Sequence, residues 1–351
     1  MTSIHSMELP RRVIVGRNII ETVGTLCKEL GFSNGALVLA GTHTSKIAGG
    51  KVIDSLKSSG FEVNNFTVQE PTLKNVRRVE EIIEESKPEI VLGVGGGKVI
   101  DVAKYSASEK KIQYISVPTA ASHDGISSPQ ASLKNLGRSF SVKATAPMAI
   151  LADLYIIVRS PYRLVASGCG DIISKYTSVR DWWLSHKLKN VYYGDYAANL
   201  ALMSAKIISK STPIIREKSE DGIRIVVEAL ISCGVATSIA GSSKPCSGSE
   251  HLFSHSLNQV ASKPALHGEQ CGVGTIMMAY LHKMNWKRIR EVLKKIGAPT
   301  TANELKVDTE EVVEALTQAH KVRPERYTIL GEKGLSRDRA VRLAKVTGVI
   351  T

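Results

Sequence analysis

Aromatic residues make up only 5% of this chain, and no block of five or six like charges occurs in it. Single-stranded nucleic acid is held on aromatic faces, and polyanions are held by contiguous basic stripes. The formal charge of +13 is therefore read as a solvated basic surface, because Lys and Arg are mixed with acids, as in residues 74–81 and 286–291. A nucleic-acid- or membrane-surface binder remains the rival class, and steep salt dependence of binding would favour it. Cysteine is equally sparse. Cys27, Cys169, Cys233, Cys246 and Cys271 are odd in number and form no C-x-x-C pair, which reads as reduced structural thiols rather than a disulfide framework. The first dozen residues carry no apolar core of a signal peptide. The longest apolar run is read as residues 146–158, which is interrupted by Asp153 and is too short to span a bilayer. The expectation is a cytoplasmic protein with no nucleic-acid partner and no stable membrane insertion.

At 351 residues, 43% of them hydrophobic, the chain suits two domains with a large core. Up to about residue 158, short β-branched runs alternate with helical patterns. Strands are expected at 13–15, 36–40, 61–66, 88–93 and 112–117, and again near Ser132, at 139–142 and at 149–158. Beyond Ser160 and Pro161 helical periodicity dominates, at about 162–186, 192–217, 219–241, 249–261, 268–283, 287–296, 308–321 and 336–346. The fold class is thus an α/β N-terminal domain with a doubly wound, mostly parallel sheet, followed by an all-α C-terminal domain. The domains are 1–158 and 159–351.

Residues 93–105 (GVGGGKVIDVAKY) run from a strand through Gly95, Gly96 and Gly97 into a helix. Glycines let a backbone approach a ligand closely, and the free N–H groups of a helix start suit a phosphate or pyrophosphate. The spacing matches neither standard nucleotide fingerprint, so a ligand-free tight turn stays open as an alternative. Residues 118–128 (PTAASHDGISS) follow the next strand and carry small hydroxylic residues with one carboxylate, Asp124. Both segments are expected beyond the C-terminal ends of parallel strands. Further on, His251 and His255 stand four apart on one helix face, with Ser247, Gly248 and Ser249 as candidate N-caps. His267 sits beside a glycine at the start of another helix, and Asp171 follows Gly168 and Gly170. Asp171, His251 and His267 with an open fourth position would form a catalytic metal site, although a His pair alone is as readily structural.

Taken in order, G-G-G-K-x-x-D at 95–101, P-T-x-x-S-H-D-G at 118–125, G-D at 170–171, H-x-x-x-H at 251–255 and H-G-E at 267–269 resemble the archaeal-type sn-glycerol-1-phosphate dehydrogenases. These belong to the superfamily of iron-type alcohol dehydrogenases, glycerol dehydrogenases and dehydroquinate synthases. The match runs through nearly the whole chain. The resemblance implies a dinucleotide-binding α/β domain, an all-helical domain, and zinc and substrate in the cleft between them. It assigns Gly95, Gly96, Gly97, Lys98, Val99, Ile100 and Asp101 to the pyrophosphate, and Thr119, Ala120, Ala121, Ser122 and Ser128 to the rest of the cofactor. It assigns Asp171, His251 and His267 to one zinc ion per subunit. Asp124, Asp171 and His255 fall at catalytic or substrate-contacting positions, and other superfamily members use the counterpart of His255 as a further ligand. The cofactor is NAD(H) or NADP(H), because residues 41–44 (GTHT) offer no acid against a 2′-phosphate.

The implied reaction is reversible hydride transfer between NAD(P)H and dihydroxyacetone phosphate, giving sn-glycerol 1-phosphate, the backbone of archaeal ether phospholipids. A homo-oligomer, dimer or higher, is expected. The alternatives are a glycerol or polyol dehydrogenase acting on unphosphorylated substrate, and a dehydroquinate-synthase-like cyclase. The latter normally has glutamate where Asp171 stands. Composition does not single out which of 46 Lys and Arg residues meets the substrate phosphate.

Overall fold

Ala36, Val38 and Ala40 face one side of strand β2 (Gly35–Ala40), Leu37 and Leu39 face the other, and all five are buried. Such a strand has no solvent face, as expected inside a parallel sheet covered by helices. The structure, a computed structural model, describes residues 5–135 and 138–351. The chain folds as two compact units. One comprises Glu8–Ala121 and Gly125–Pro161; the other comprises Tyr162–Thr351 with residues 5–7 and Ser122–Asp124.

In the first unit, β1 (Arg12–Gly16), β2, β3 (Glu62–Thr67), β4 (Ile90–Gly95), β5 (Gln113–Pro118) and β8 (Ala149–Asp153) form a six-stranded sheet in the order β1-β8-β5-β4-β2-β3. Every pairing in it is parallel. Strands β6 (Gln130–Asn135) and β7 (Arg138–Lys143) make a separate antiparallel pair. Helices α1 (Val23–Glu29), α2 (Thr42–Thr44), α3 (Gly50–Ser58), α4 (Leu73–Ser86) and α5 (Gly97–Glu109) connect the strands. One core lies between the sheet and α1 and α3, through Leu26, Val52 and Leu56. The other lies against α4 and α5, through Val76, Val79 and Val102. The chain leaves β2 for β3 on one side and returns past it to β4 on the other. The switch point between β2 and β4 is where ligands of open α/β sheets collect.

The strand expected to extend to residue 158 stops at Asp153, and α6 (Leu154–Val158) takes over. The cause is one side chain. Asp153 accepts hydrogen bonds from Tyr155 N at 2.9 Å, Asn18 N at 3.1 Å and Ile20 N at 2.9 Å, capping α6 while closing the turn after β1.

The helical unit contains α7 (Tyr162–Ile173), α8 (Lys175–Lys189), α9 (Asp195–Lys210), α10 (Thr212–Arg216), α11 (Glu220–Ala240), α12 (Ser249–Val260), α13 (His267–Leu281), α14 (Trp286–Ile296), α15 (Ala302–Leu305), α16 (Thr309–Val322) and α17 (Arg337–Val346). The helix expected over 162–186 divides at Ser174, whose hydroxyl bonds back to Asp171 O at 2.6 Å. The one expected over 192–217 divides at Ser211, where Pro213 opens α10. Helix α11 is long and apolar enough to cross a membrane by length and composition, and sequence inspection passed over it. Two-thirds of its apolar stretch is buried against neighbouring helices, as in a core helix. All five cysteines are buried and free, and burial pushes the Cys27 thiol up to about 12.

Asp153→Ala removes the cap and strands two further N–H groups, so it should cost about 2–4 kcal/mol. A lower denaturant midpoint with an unchanged slope is the expected reading; an unchanged midpoint would contradict the capping role.

Candidate active site

The α/β unit offers an anion cradle at the switch point. Gly95 ends β4 and Gly96 is the N-cap of α5. A Cβ on Gly95 would come 2.8 Å from Val99 Cγ2, so this glycine is required by strand–helix packing. A Cβ on Gly96 would meet nothing within 4 Å, which leaves open space above the helix start. The N–H groups of Val99 and Ile100 close onto Gly96 O, leaving those of Gly97 and Lys98 at the open end. Thr119 N bonds to Gly95 O at 3.0 Å, which places the segment after β5 beside the glycines.

Not every expected cofactor residue presents its side chain there. Lys98 is turned onto Glu70. Val99 and Ile100 are core residues. Asp101 is buried, accepting from Lys104 Nζ at 3.2 Å and from Ser132 N at 3.0 Å. Lys104 Nζ in turn holds Gly125 O and Gln130 O. Ala120, Ala121 and Ser128 are buried, and Ser128 Oγ accepts from Gln130 N. Of residues 95–101, it is the backbone of 95–98 rather than these side chains that borders the open space at the start of α5.

The helical unit gathers the chemistry. Helices α7 and α13 touch backbone to backbone: a Cβ on Gly268 would lie 1.9 Å from Ser167 O, and one on Gly170 2.3 Å from Gly268 O. The residues flanking that contact, Asp171 and His267, are thereby brought together. Glu269 anchors the start of α13 by accepting from Leu266 N at 3.0 Å and from both arms of the Arg163 guanidinium at 2.7 Å. The start of α12 is not capped by the serines around Gly248. Asp181 on α8 accepts from Ser249 N and Ser249 Oγ, each at 2.6 Å.

His251 Nε2 lies 3.5 Å from Asp171 Oδ1, and its Nδ1 lies 2.8 Å from Glu250 Oε1. Glu250 is itself held by Thr177 and Gly248 N. The His267 ring centroid is 4.9 Å from that of His251 and 5.9 Å from that of His255. His267 Nδ1 is 3.2 Å from Ser254 Oγ, and its Nε2 is 3.6 Å from Cys271 Sγ. His251, His267 and Cys271 place donor atoms within 4.8 Å of one another. Cys271 is an addition to the expected set, and its spacing of four from His267 on α13 is the signal that could have found it.

Lys175 also escaped sequence inspection. One turn after Asp171, fully buried, its Nζ lies 2.6 Å from Asp171 Oδ1, 3.0 Å from Asp124 Oδ2 and 3.2 Å from Cys246 O. Asp124 N donates to Asp171 Oδ2 at 2.8 Å, and Ser167 Oγ donates to Ser122 O at 3.2 Å. Burial alone would raise the Asp171 carboxyl, but Lys175 and then His251 outweigh it and hold it well below the usual range. Burial would likewise lower Lys175, yet Asp124 and Asp171 keep it strongly cationic. Against burial, Cys271 and the two flanking carboxylates hold His251 well above its ordinary value. Burial and then the His251 charge hold His267 well below. Burial, His251, Arg323 and Arg326 push His255 down to about 3, so it is a neutral imidazole.

Residues 14–161 match the family model of iron-containing alcohol dehydrogenases. A glycerol dehydrogenase of Schizosaccharomyces pombe superposes with a TM-score of 0.82 at 21% identity, covering 99% of this chain and 91% of that one, a likeness of fold. The glycerol-1-phosphate dehydrogenase of Methanothermobacter thermautotrophicus is 54% identical over 344 residues, 98% of this chain and 99% of its own. That of Pyrococcus furiosus is 53% identical over 347 residues, 99% of this chain and 100% of its own. The chain belongs to the family of glycerol-1-phosphate dehydrogenases.

Lys175→Met leaves two carboxylates facing each other without their cation and should cost about 3–5 kcal/mol in metal-free protein. A divalent metal should narrow that gap in chemical denaturation, because it restores positive charge. An unchanged midpoint without metal would show that Lys175 does not balance the site.

Proposed function

We propose that the protein catalyses NAD(P)H-dependent, zinc-dependent reduction of dihydroxyacetone phosphate to sn-glycerol 1-phosphate. The relatives at 53–54% identity carry the name glycerol-1-phosphate dehydrogenase (NAD(P)+). The observation that carries the reading is the group of buried Asp171 and His251 with half-buried His267, and Asp124 bonded to its edge. A tetrahedral zinc with nitrogen and oxygen ligands spaces its donors about 3.3–3.5 Å apart, which suits the 3.5 Å between Asp171 Oδ1 and His251 Nε2. In this reading Asp171, His251 and His267 hold the metal, and the Cys271 thiol stands beside them, 3.6 Å from His267 Nε2. When bound, zinc supplies Lewis-acid polarisation of the substrate carbonyl.

The chain's own groups do the remainder. Glu250 fixes the orientation of the His251 ring through Nδ1. Lys175 pairs with the Asp124 carboxylate and the Asp171 carboxylate accepts from Asp124 N, so Asp124 is held in one orientation in which to accept a substrate hydroxyl. His255, neutral by burial, offers a ring nitrogen to the substrate or to a water that carries the proton. The backbone at Gly96 and Gly97 receives the pyrophosphate of NAD(H) or NADP(H). The product, a glycerol bearing one phosphate and two free hydroxyls, has the chemistry of a phospholipid backbone. We place the activity in the cytoplasm and in a homo-oligomer. Exposed apolar side chains on and beside α8 and α9, among them Trp183, Tyr192, Tyr196 and Met203, support self-association.

Two measurements test this. Oxidation of NADH or NADPH should accompany dihydroxyacetone phosphate and yield the sn-1 product on chiral analysis. Turnover of dihydroxyacetone or glycerol alone would replace this reading with a polyol dehydrogenase, and turnover without net cofactor change with a cyclase. His251→Ala, His267→Ala and Asp171→Asn should each lose the metal and at least about 1000-fold in kcat/KM while the α/β unit stays folded, whereas Cys271→Ser should keep its metal. Metal retained in the Asp171→Asn protein but lost in the Cys271→Ser protein would transfer the third ligand to the thiol.

A further inference from the structure

Three cations of the helical unit gather without matching acids. Lys244 lies in the loop between α11 and α12, Arg323 is the C-cap of α16, and Arg326 follows three residues later. All three are half-buried. Arg326 is fixed, donating from Nη1 to Ser247 O at 2.6 Å and from Nη2 to Ser243 Oγ at 2.9 Å. The loop carrying Lys244 is pinned from below, because Ser178 Oγ donates to Pro245 O and Lys175 Nζ to Cys246 O. Among the described residues, the side chains of Arg323 and Lys244 make no hydrogen bond and no ion pair, although Arg323 O accepts from Arg326 N at 2.9 Å. The acid acting on all three through space is Glu325, which is itself exposed.

Removing cations from water without pairing them costs free energy that an anion would return. The physical signs agree. Burial and then the charges of Arg326 and Arg323 push Lys244 down, burial pushes Arg323 down, and burial followed by Arg323 pushes Arg326 to about 10. The location is equally specific. Helix α16 packs along α12, and the charges of Arg323 and Arg326 reach His255, whose ring stands 5.9 Å from that of His267.

We propose that Arg323, Lys244 and Arg326 form the subsite for the phosphate group of the substrate, beside His255. The inference rests on the reading that the substrate is phosphorylated. A phosphate monoester carries roughly −1.5 to −2 charge and three acceptor oxygens. Two guanidinium forks and one ammonium match it in charge and in donors, with Arg326 held rigid and Arg323 and Lys244 left to close on the ligand. An unphosphorylated ketone would leave these cations unpaired, so the cluster also sets specificity.

The test uses the metal-loaded enzyme and the ratio of kcat/KM for dihydroxyacetone phosphate to that for dihydroxyacetone. Arg323→Gln and Lys244→Gln should each lower that ratio by about 10- to 100-fold, the range of a lost charge-assisted hydrogen bond. Arg323→Lys should recover part of the loss, and the exposed neighbour Lys321→Gln should leave the ratio unchanged. Competitive inhibition by inorganic phosphate should weaken in parallel. A wild-type preference for the phosphorylated ketone that survives in both Gln variants overturns the subsite alone. Equal losses on both ketones overturn it as well. A wild type without the preference overturns the parent reading and this one with it.

Discussion

Everything chemical in the helical unit depends on two peptide backbones in direct contact. Gly170 on α7 and Gly268 on α13 leave no room for a single Cβ between them. Helices separated by side chains lie 8–10 Å apart, so glycine at a crossing draws the axes inward. The residue after one glycine is Asp171, and the residue before the other is His267. Close approach of the backbones is thus converted directly into close approach of a carboxylate and an imidazole. Arg163 and Glu269 then fix α13 at its first turn, where any looseness would be felt at His267.

The second constraint is charge. Asp171, Glu250 and Lys175 are fully buried, and Asp124 is partly buried. Each ionised group must be met by another, because the interior does not solvate it. Lys175 answers two carboxylates, His251 answers Glu250, and Thr177 and a backbone N–H satisfy what remains of Glu250. The result is a polar network whose members hold one another in place, with the His251 and His267 rings 4.9 Å apart at its edge. Such pre-organisation is what a metal centre requires of its surroundings.

Much of this is legible in sequence wherever the signal is local. The continuous apolar run at 36–40, the glycine run at 95–97, and the pairs Gly170–Asp171 and His267–Gly268 are short-range patterns with one mechanical meaning each. The end of β8 is not legible in that way. Residues 149–158 are apolar around Asp153, and such a run suits strand and helix alike until the carboxylate finds N–H groups more than 130 residues away. Lys175 is hidden for a different reason. Lysine is so rarely buried that nothing in its neighbours announces an ammonium between two aspartates. Arg323 and Lys244 are separated by 79 positions and meet only because α16 packs on α12. The capping of α12 by Asp181 is equally remote in sequence, although the serines beside it look sufficient.

Ser122–Asp124 belongs to the helical unit although it is made with the α/β half of the chain. A gene divided at residue 161 would therefore yield a helical fragment in which Lys175 meets one aspartate instead of two and Ser167 loses the carbonyl it binds. During synthesis the three residues wait, already attached to the end of β5, until α7 and α8 emerge to receive them. The covalent order of the chain in this way ties the helical half to its predecessor: it is a unit by packing, but three of its residues are delivered by the end of β5.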